Sequence, residues 1–219
     1  MVIPARYAAS RFPGKLLADL AGRPVLEHVW RQACASGALE VLIAADDERI
    51  ITAARRFGAE AVMTSARHRS GTERAAEVAG QRGWPDDDLV VNCQGDAPLV
   101  PASSIDQVAG LLIEHADAAM ATLCTRITRA EDYRSPHVVK VVSDAAGRAL
   151  YFSRAPIPAA GHTGAGPASG ELRRPGRSVR PTAWRQRATR IESKITFSDG
   201  GSGISRNWPV VRSTTDRAG

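Results

Sequence analysis

The feature that most constrains this fold is a regular alternation of short apolar strands and amphipathic helices over the first 63 residues. Apolar runs at residues 2–3, 40–45 and 61–63 predict buried strands. Between them, apolar residues recur at helical spacing over residues 24–36 and 50–57. Strands and helices that alternate in this way form βαβ units, so the pattern predicts a parallel sheet covered by helices.

The same alternation continues for about ninety more residues, to residue 152. Ser70 and Glu73 match a capping box, which predicts a helix that begins there and ends near residue 81. Apolar spacing predicts the remaining elements, which are strands 89–92 and 118–123, a helix 103–115 and a hairpin of strands 137–143 and 149–152.

The composition changes abruptly after Pro158. Up to that residue there are 18 Lys+Arg and 19 Asp+Glu, whereas the last 61 residues contain 11 and 4. The later segment is rich in Gly, Ser, Pro and Arg, and no helical or strand period persists in it. We therefore predict a domain at residues 1–158 and a basic tail of low order at residues 159–219. A basic tail can bind nucleic acid, but its arginines are scattered and no binding motif is present, so we expect no nucleic-acid partner.

Cysteine usage predicts a cytoplasmic location. Cys34, Cys93 and Cys124 are far apart and form no CxxC pair, which is typical of reduced thiols and excludes a zinc or disulfide framework. No apolar run of about 18 residues and no signal peptide is found, so we expect no membrane partner.

A cationic loop follows the first predicted strand. Pro4 lacks an N–H donor and is expected to end that strand. Arg6, Arg11 and Lys15 follow, with a Pro-Gly turn before the lysine. Because α/β sheets bind ligands beyond the carboxyl ends of their strands, these cations suit the β- and γ-phosphates of a triphosphate. A merely solvated basic loop is the alternative, and neither GxxxxGK[ST] nor GxGxxG is present.

Three later features favour the same ligand. Asp96 follows strand 89–92 behind a glycine and could hold Mg²⁺, although it could equally cap a turn. Gln94 beside it could bind a substrate hydroxyl or base edge. The helix start at residues 70–74 offers N–H groups to an anionic or polar group, or it is simply a well-capped helix. Together these residues predict a nucleoside-triphosphate site at one edge of the sheet.

Four segments of the chain resemble the family of 3-deoxy-manno-octulosonate cytidylyltransferases, also called CMP-Kdo synthetases. The segments are IPARYAASRFPGKLL, HRSGTERAAEV, VVNCQGDAPLVP and VVKVVSDAAGRALYFSRAPIP. They occur in the order and spacing of the family over residues 2–158, about seventy per cent of the chain.

The resemblance implies a three-layer, Rossmann-like nucleotide-diphospho-sugar transferase fold with a mostly parallel sheet, incomplete at the C-terminus. It also implies a homodimer that uses Mg²⁺, joins CTP to 3-deoxy-D-manno-octulosonate (Kdo) for lipopolysaccharide biosynthesis, and releases pyrophosphate. Carried over by motif, the catalytic residues would be Arg6, Lys15 and Asp96. The family pattern assigns Arg6 and Lys15 to the triphosphate, Ser70, Gly71 and Arg74 to the nucleotide and sugar-acid pocket, Gln94 to Kdo, and Asp96 to Mg²⁺.

The chain departs from the family in three places, the first being a start so close to the first strand that this strand is expected to be a residue or two short. Ala97 replaces the glutamate of the GDEP motif, and the RHxGIYxY and GVDTPEDL motifs are missing after Pro158. One hypothesis is that the segment from Ala159 is translated out of frame, and a one-base shift of the gene after codon 158 should then restore both motifs. The alternative to an active enzyme is an inactive remnant that keeps a partial CTP site.

Overall fold

A nine-stranded sheet organises the described part of the molecule. The structure is a computed structural model that describes residues 1–8, 12–125, 127–144 and 147–157, together with the backbone of two later strands. The first eight strands in chain order are β1 Val2–Ala5, β2 Asp19–Leu20, β3 Arg23–Pro24, β4 Leu42–Ala45, β5 Glu60–Met63, β6 Leu89–Cys93, β7 Met120–Cys124 and β8 Lys140–Ser143. The remaining strands are β9 Arg148–Ser153, β10 Pro181–Arg185 and β11 Trp208–Arg212. β2 and β3 pair with each other, and the other nine strands form the sheet in the order β5-β4-β1-β6-β10-β7-β11-β9-β8.

The helices alternate with these strands, as the sequence predicts. They are α1 Val25–Cys34, α2 Glu48–Arg56, α3 Gly71–Arg82, α4 Ala102–Glu114 and the short α5 Ala130–Arg134, with a one-turn 3-10 helix at Lys15–Leu17. Each of the first four begins and ends within two residues of its expected position. In the part of the chain that the structure describes, none of the helices has the length and the apolar character that a membrane span requires.

The sheet is mostly parallel, which confirms the predicted fold class. Strands β5, β4, β1 and β6 run in one direction, and β7, β11 and β8 share that direction. Only β10 and β9 run against them within the described sheet. Because parallel strands run in the same direction, their carboxyl ends lie at the same edge of the sheet. The cationic loop and Asp96 lie at this edge.

Helices cover both faces of the sheet, so the fold has three layers. On one face, Ile3, Ile43 and Val91 pack with residues of α1, α2 and α4 in the main core. On the other face, Val2 and Leu42 pack with α3 in a smaller core. Successive strand residues point to opposite faces, and the central strands β1 and β4 are apolar on both faces, as parallel strands usually are.

Pro4 does not end the first strand, so this part of the sequence prediction is wrong. β1 continues to Ala5, and Pro4 pairs with Ala44 of β4. On its other side β1 pairs with β6 only at Val2 and Asn92. The missing N–H of Pro4 faces that weakly paired side, so the strand loses no ladder hydrogen bond.

Two strands lie in the segment for which the sequence predicts low order. β10 lies between β6 and β7 and is antiparallel to both, while β11 lies between β7 and β9. Neither strand was predicted, because their apolar residues are too sparse to give a strand period. The division of the chain at Pro158 stays a prediction.

Candidate active site

Pro4 is the point where three parts of the predicted site meet. A Cβ on Gly71, at the start of α3, would lie 3.1 Å from the Pro4 Cγ atom. A Cβ on Gly95, in the loop after β6, would lie 2.7 Å from the Pro4 carbonyl oxygen. A Cβ atom cannot lie as close as 2.7 Å to a backbone oxygen, so glycine is required at Gly95, and the tight 3.1 Å contact with the Pro4 ring favours glycine at Gly71. The helix start and the Asp96 loop therefore both pack on the end of β1.

Lys15 and Asp96 form an ion pair across 81 positions of sequence. The Lys15 Nζ atom donates to Asp96 Oδ2 at 2.9 Å. Both side chains are about half exposed, at 47 % and 50 %. Lys15 begins the 3-10 helix after Gly14, whose φ of 71° belongs to the left-handed region that favours glycine. An exposed pair of this kind is weakly held and open to ligands.

Arg6 joins the first loop to the segment before α3. Its guanidinium donates to the main-chain carbonyl of His68, and its own backbone follows the end of β1. His68 in turn contacts Glu77 on α3. Arg6 is thus held near the start of α3, while Arg11 lies outside the described residues.

The start of α3 is capped as the sequence predicts. The Ser70 Oγ atom accepts from the Glu73 N–H at 3.1 Å, and Ser70 is buried. The Glu73 carboxylate completes the cap by accepting from the N–H of Arg69 at 2.7 Å, one residue before the position a capping box uses.

Arg74 is fully buried, with none of its surface exposed to solvent. One guanidinium nitrogen donates to Asp46 Oδ2 at 3.1 Å, and the other donates to the Thr64 hydroxyl. Burial lowers the pKa of Arg74, and the charge of Arg6 lowers it further, whereas Asp46 raises it. In the described residues its Nε atom has no protein partner. Arg74 is therefore locked in place rather than free to move.

Asp46 is a site residue that the sequence analysis missed. It directly follows β4, and its Oδ1 atom accepts from the Tyr7 N–H at 3.0 Å. Arg49, from the same segment, lies over the Tyr7 ring at 3.4 Å from the ring centroid. The signal that could have identified Asp46 is its position at the carboxyl end of a strand adjacent to β1, the same edge as Asp96.

Gln94 and Ala97 belong to one turn that presents Asp96. The Gln94 carbonyl accepts from the Ala97 N–H at 3.2 Å, and Ala97 packs against the main core. The replacement of the family glutamate by Ala97 has no explanation in the structure. Gln94 is half-buried beside the Asp96 loop, where a ligand on the sheet edge would approach it.

The donor set at Asp96 fits a Mg²⁺ ion bound together with a nucleotide. Among the described residues, no group of three His, Cys, Asp or Glu side chains is placed to hold a metal by itself. Mg²⁺ usually takes only one or two protein carboxylates and completes its shell with phosphate oxygens and water. One half-exposed carboxylate beside a lysine meets that requirement.

The comparisons with known proteins agree with this geometry. The family model described as Cytidylyltransferase matches residues 1–188. The chain belongs to the cytidylyltransferase family. Among curated members of this family, the 3-deoxy-manno-octulosonate cytidylyltransferase of Thioalkalivibrio sulfidiphilus is 58 % identical over 158 residues, which are 72 % of this chain and 63 % of that protein. The protein of the same name from Cellvibrio japonicus is 54 % identical over 158 residues and 62 % of its length.

A solved cytidylyltransferase structure shares the fold. The structure of CMP:2-keto-3-deoxy-manno-octonic acid synthetase complexed with CTP has a TM-score of 0.74 and 38 % sequence identity to this chain. The match covers 84 % of this chain and 73 % of that protein. The chain thus spans somewhat less than two thirds of the length of the curated cytidylyltransferases that it matches.

Proposed function

We propose that this cytidylyltransferase transfers CMP from CTP to Kdo and releases pyrophosphate. The observation that carries the proposal is the Lys15–Asp96 contact, which brings a phosphate-binding cation and a metal-binding carboxylate together from distant parts of the sequence. The names of the similar curated proteins and of the CTP-bound synthetase supply the identity of both substrates. A homodimer and a cytoplasmic location stay predictions.

The proposed reaction is a displacement at phosphorus. The anomeric hydroxyl oxygen of Kdo bonds to the α-phosphorus of CTP, its proton passes to solvent, and the bond from that phosphorus to the bridging oxygen breaks. Negative charge then increases on the pyrophosphate that leaves. Arg6 and Lys15 are held at the sheet edge, where their charges would stabilise it. In such transfers positioning and charge stabilisation supply most of the rate enhancement.

We propose that Mg²⁺ binds through Asp96. When bound, the ion would neutralise phosphate charge and help to orient the triphosphate. On binding of CTP, Lys15 would exchange its contact with Asp96 for one with a phosphate oxygen, which leaves the carboxylate free. Because both side chains are half exposed, this exchange needs little rearrangement of the protein.

Pyrophosphate release from CTP and Kdo tests the proposal. We expect turnover when both substrates and Mg²⁺ are present. Addition of EDTA should abolish turnover, and restoration of Mg²⁺ should recover it. Omission of Kdo and replacement of CTP by ATP are the controls, and both should reduce release to background. If the full chain binds CTP but releases no pyrophosphate under any of these conditions, the inactive remnant is the correct description.

A further inference from the structure

We infer that Asp46 is a positioning residue that fixes the first loop against α3 and thereby sets the place of Arg6 for the triphosphate. This inference rests on the proposed function. Asp46 accepts hydrogen bonds from the Tyr7 N–H and from Arg74, so its effect on catalysis would pass through Tyr7, Arg6 and Arg74.

The two carboxylate oxygens of Asp46 hold two different elements. Oδ1 accepts from the Tyr7 N–H at 3.0 Å, and Oδ2 accepts from Arg74 Nη2 at 3.1 Å. Tyr7 belongs to the loop after β1, and Arg74 belongs to the first turn of α3. A single side chain at the end of β4 therefore joins the two segments that carry the predicted phosphate and nucleotide contacts.

Charge makes this link specific for a carboxylate. The Asp46 side chain is only 10 % exposed and Arg74 is not exposed at all. Arg74 also experiences the repulsive charge of Arg6. An amide at position 46 could still accept from the Tyr7 N–H, but its NH₂ group would face the Arg74 guanidinium with no acceptor to offer.

Arg6 is consequently held from both ends. Its backbone is next to Tyr7, which Asp46 anchors, and its guanidinium reaches the His68 carbonyl. The Tyr7 carbonyl also accepts from the Gly14 N–H at 2.9 Å, which closes the loop just before Lys15. Release of Tyr7 would therefore loosen both cations that the proposed function assigns to the triphosphate.

The test uses full-length Asp46→Ala and Asp46→Asn, with Asp47→Asn as the matched control. Asp47 is the next residue, but it caps α2 and pairs with exposed Arg49, and asparagine is also a good N-cap. We expect Asp46→Ala to raise KM for CTP about tenfold or more, which is the size associated with a lost hydrogen bond to a charged group. Asp46→Asn should raise KM less, and Asp47→Asn should leave it unchanged.

Amide hydrogen exchange at Tyr7 provides a readout that does not need activity. Exchange at this amide should become faster in Asp46→Ala, change less in Asp46→Asn, and stay at the wild-type rate in Asp47→Asn. A residue that only stabilised the fold would reduce the active fraction, and hence the apparent kcat, without a change in KM. Unchanged KM and unchanged Tyr7 exchange in both Asp46 variants would overturn the inference.

The two readouts separate failure of this inference from failure of the proposed function. If the wild-type chain neither binds nor turns over CTP, the proposed function is wrong. Faster Tyr7 exchange in Asp46→Ala would then still support the anchoring of the first loop. If Asp46→Ala does not fold, Asp46→Asn decides the outcome, because it retains the size and one acceptor of the native side chain.

Discussion

Two ion pairs at the same edge of the sheet each join a carboxylate to a cation, but one pair is buried and the other is exposed. Asp46 follows β4 and holds Arg74 with almost no exposure to solvent, whereas Asp96 follows β6 and holds Lys15 with both side chains half exposed. β4 and β6 are the two neighbours of β1. The carboxylates therefore flank the first loop, one as a fixed internal anchor and the other as an open contact.

This difference shows why burial matters more than residue type at such a site. A buried cation and carboxylate cannot separate without leaving an unpaired charge away from water, so their geometry is fixed. An exposed pair gains little from its contact, so a ligand can displace one partner at small cost. The predictions below test this contrast, in order of decreasing effect.

The largest effect is expected from loss of the buried cation. Arg74→Met leaves Asp46 nearly buried and unpaired, so the free energy of unfolding should fall by about 3–5 kcal/mol. Urea denaturation followed by tryptophan fluorescence measures it. The control is Arg82→Met on the same helix, since Arg82 pairs with Glu40 and Glu60 near the surface and should contribute about 1 kcal/mol or less. Equal losses in the two variants would contradict the contrast.

Removal of the exposed carboxylate should instead affect activity. Asp96→Asn is expected to lower kcat/KM for CTP by about 10²–10³, because charge stabilisation of the transition state is lost. Its free energy of unfolding should stay within about 1 kcal/mol of the wild type. Steady-state kinetics and urea denaturation measure the two quantities, and Asp86→Asn, an exposed acid in the turn before β6, is the control. A stability loss as large as that of Arg74→Met would refute the description of this pair as open.

The position of the open pair can be disturbed without a change in either partner. A Cβ at Gly95 would lie 2.7 Å from the Pro4 carbonyl, so Gly95→Ala must push the Asp96 loop away from β1. We expect a loss of about 1–3 kcal/mol in the free energy of unfolding, together with lower activity. Gly80→Ala is the control, because its Cβ meets no atom within 4 Å on an exposed helix position and should stabilise the fold by about 1 kcal/mol. Unchanged stability and activity in Gly95→Ala would show that the loop is not fixed by this contact.

The smallest effect is the direct coupling between Lys15 and Asp96. A double-mutant cycle with alanine at both positions should give a coupling free energy of about 1 kcal/mol or less in the unfolding equilibrium. Added salt should reduce it further, because the charges are exposed. A coupling of several kcal/mol that persists in high salt would place this pair in the same class as Asp46 and Arg74.

Much of this arrangement could be predicted from sequence because local patterns specify it. The alternating apolar periods predict the parallel sheet, and Ser70 with Glu73 predicts the start of α3. The proximity of Lys15 and Asp96 follows from their positions after strands of one parallel sheet. Such inferences need only a short window of sequence and a general rule about sheets.

What sequence reasoning missed depends on contacts between distant segments. Asp46 looks like any acid at the end of a strand until its two partners, 39 and 28 positions away, are known. Pro4 lies within β1, and its pairing with β4 and the sparse pairing of β1 with β6 become known only from the sheet itself. β10 and β11 have no apolar period that would predict them, and their place in the sheet is defined by neighbours from residues 89–153.

The location of β10 has a consequence for folding during synthesis. When synthesis has reached β9, both β6 and β7 have already been made. The strand that pairs with both of them, β10 at Pro181–Arg185, is made later. Until that segment emerges, the two halves of the sheet present unpaired edges to other nascent chains. Completion of the sheet must therefore wait until β10 and β11 have been synthesised, and folding is expected to be slow and sensitive to chaperones.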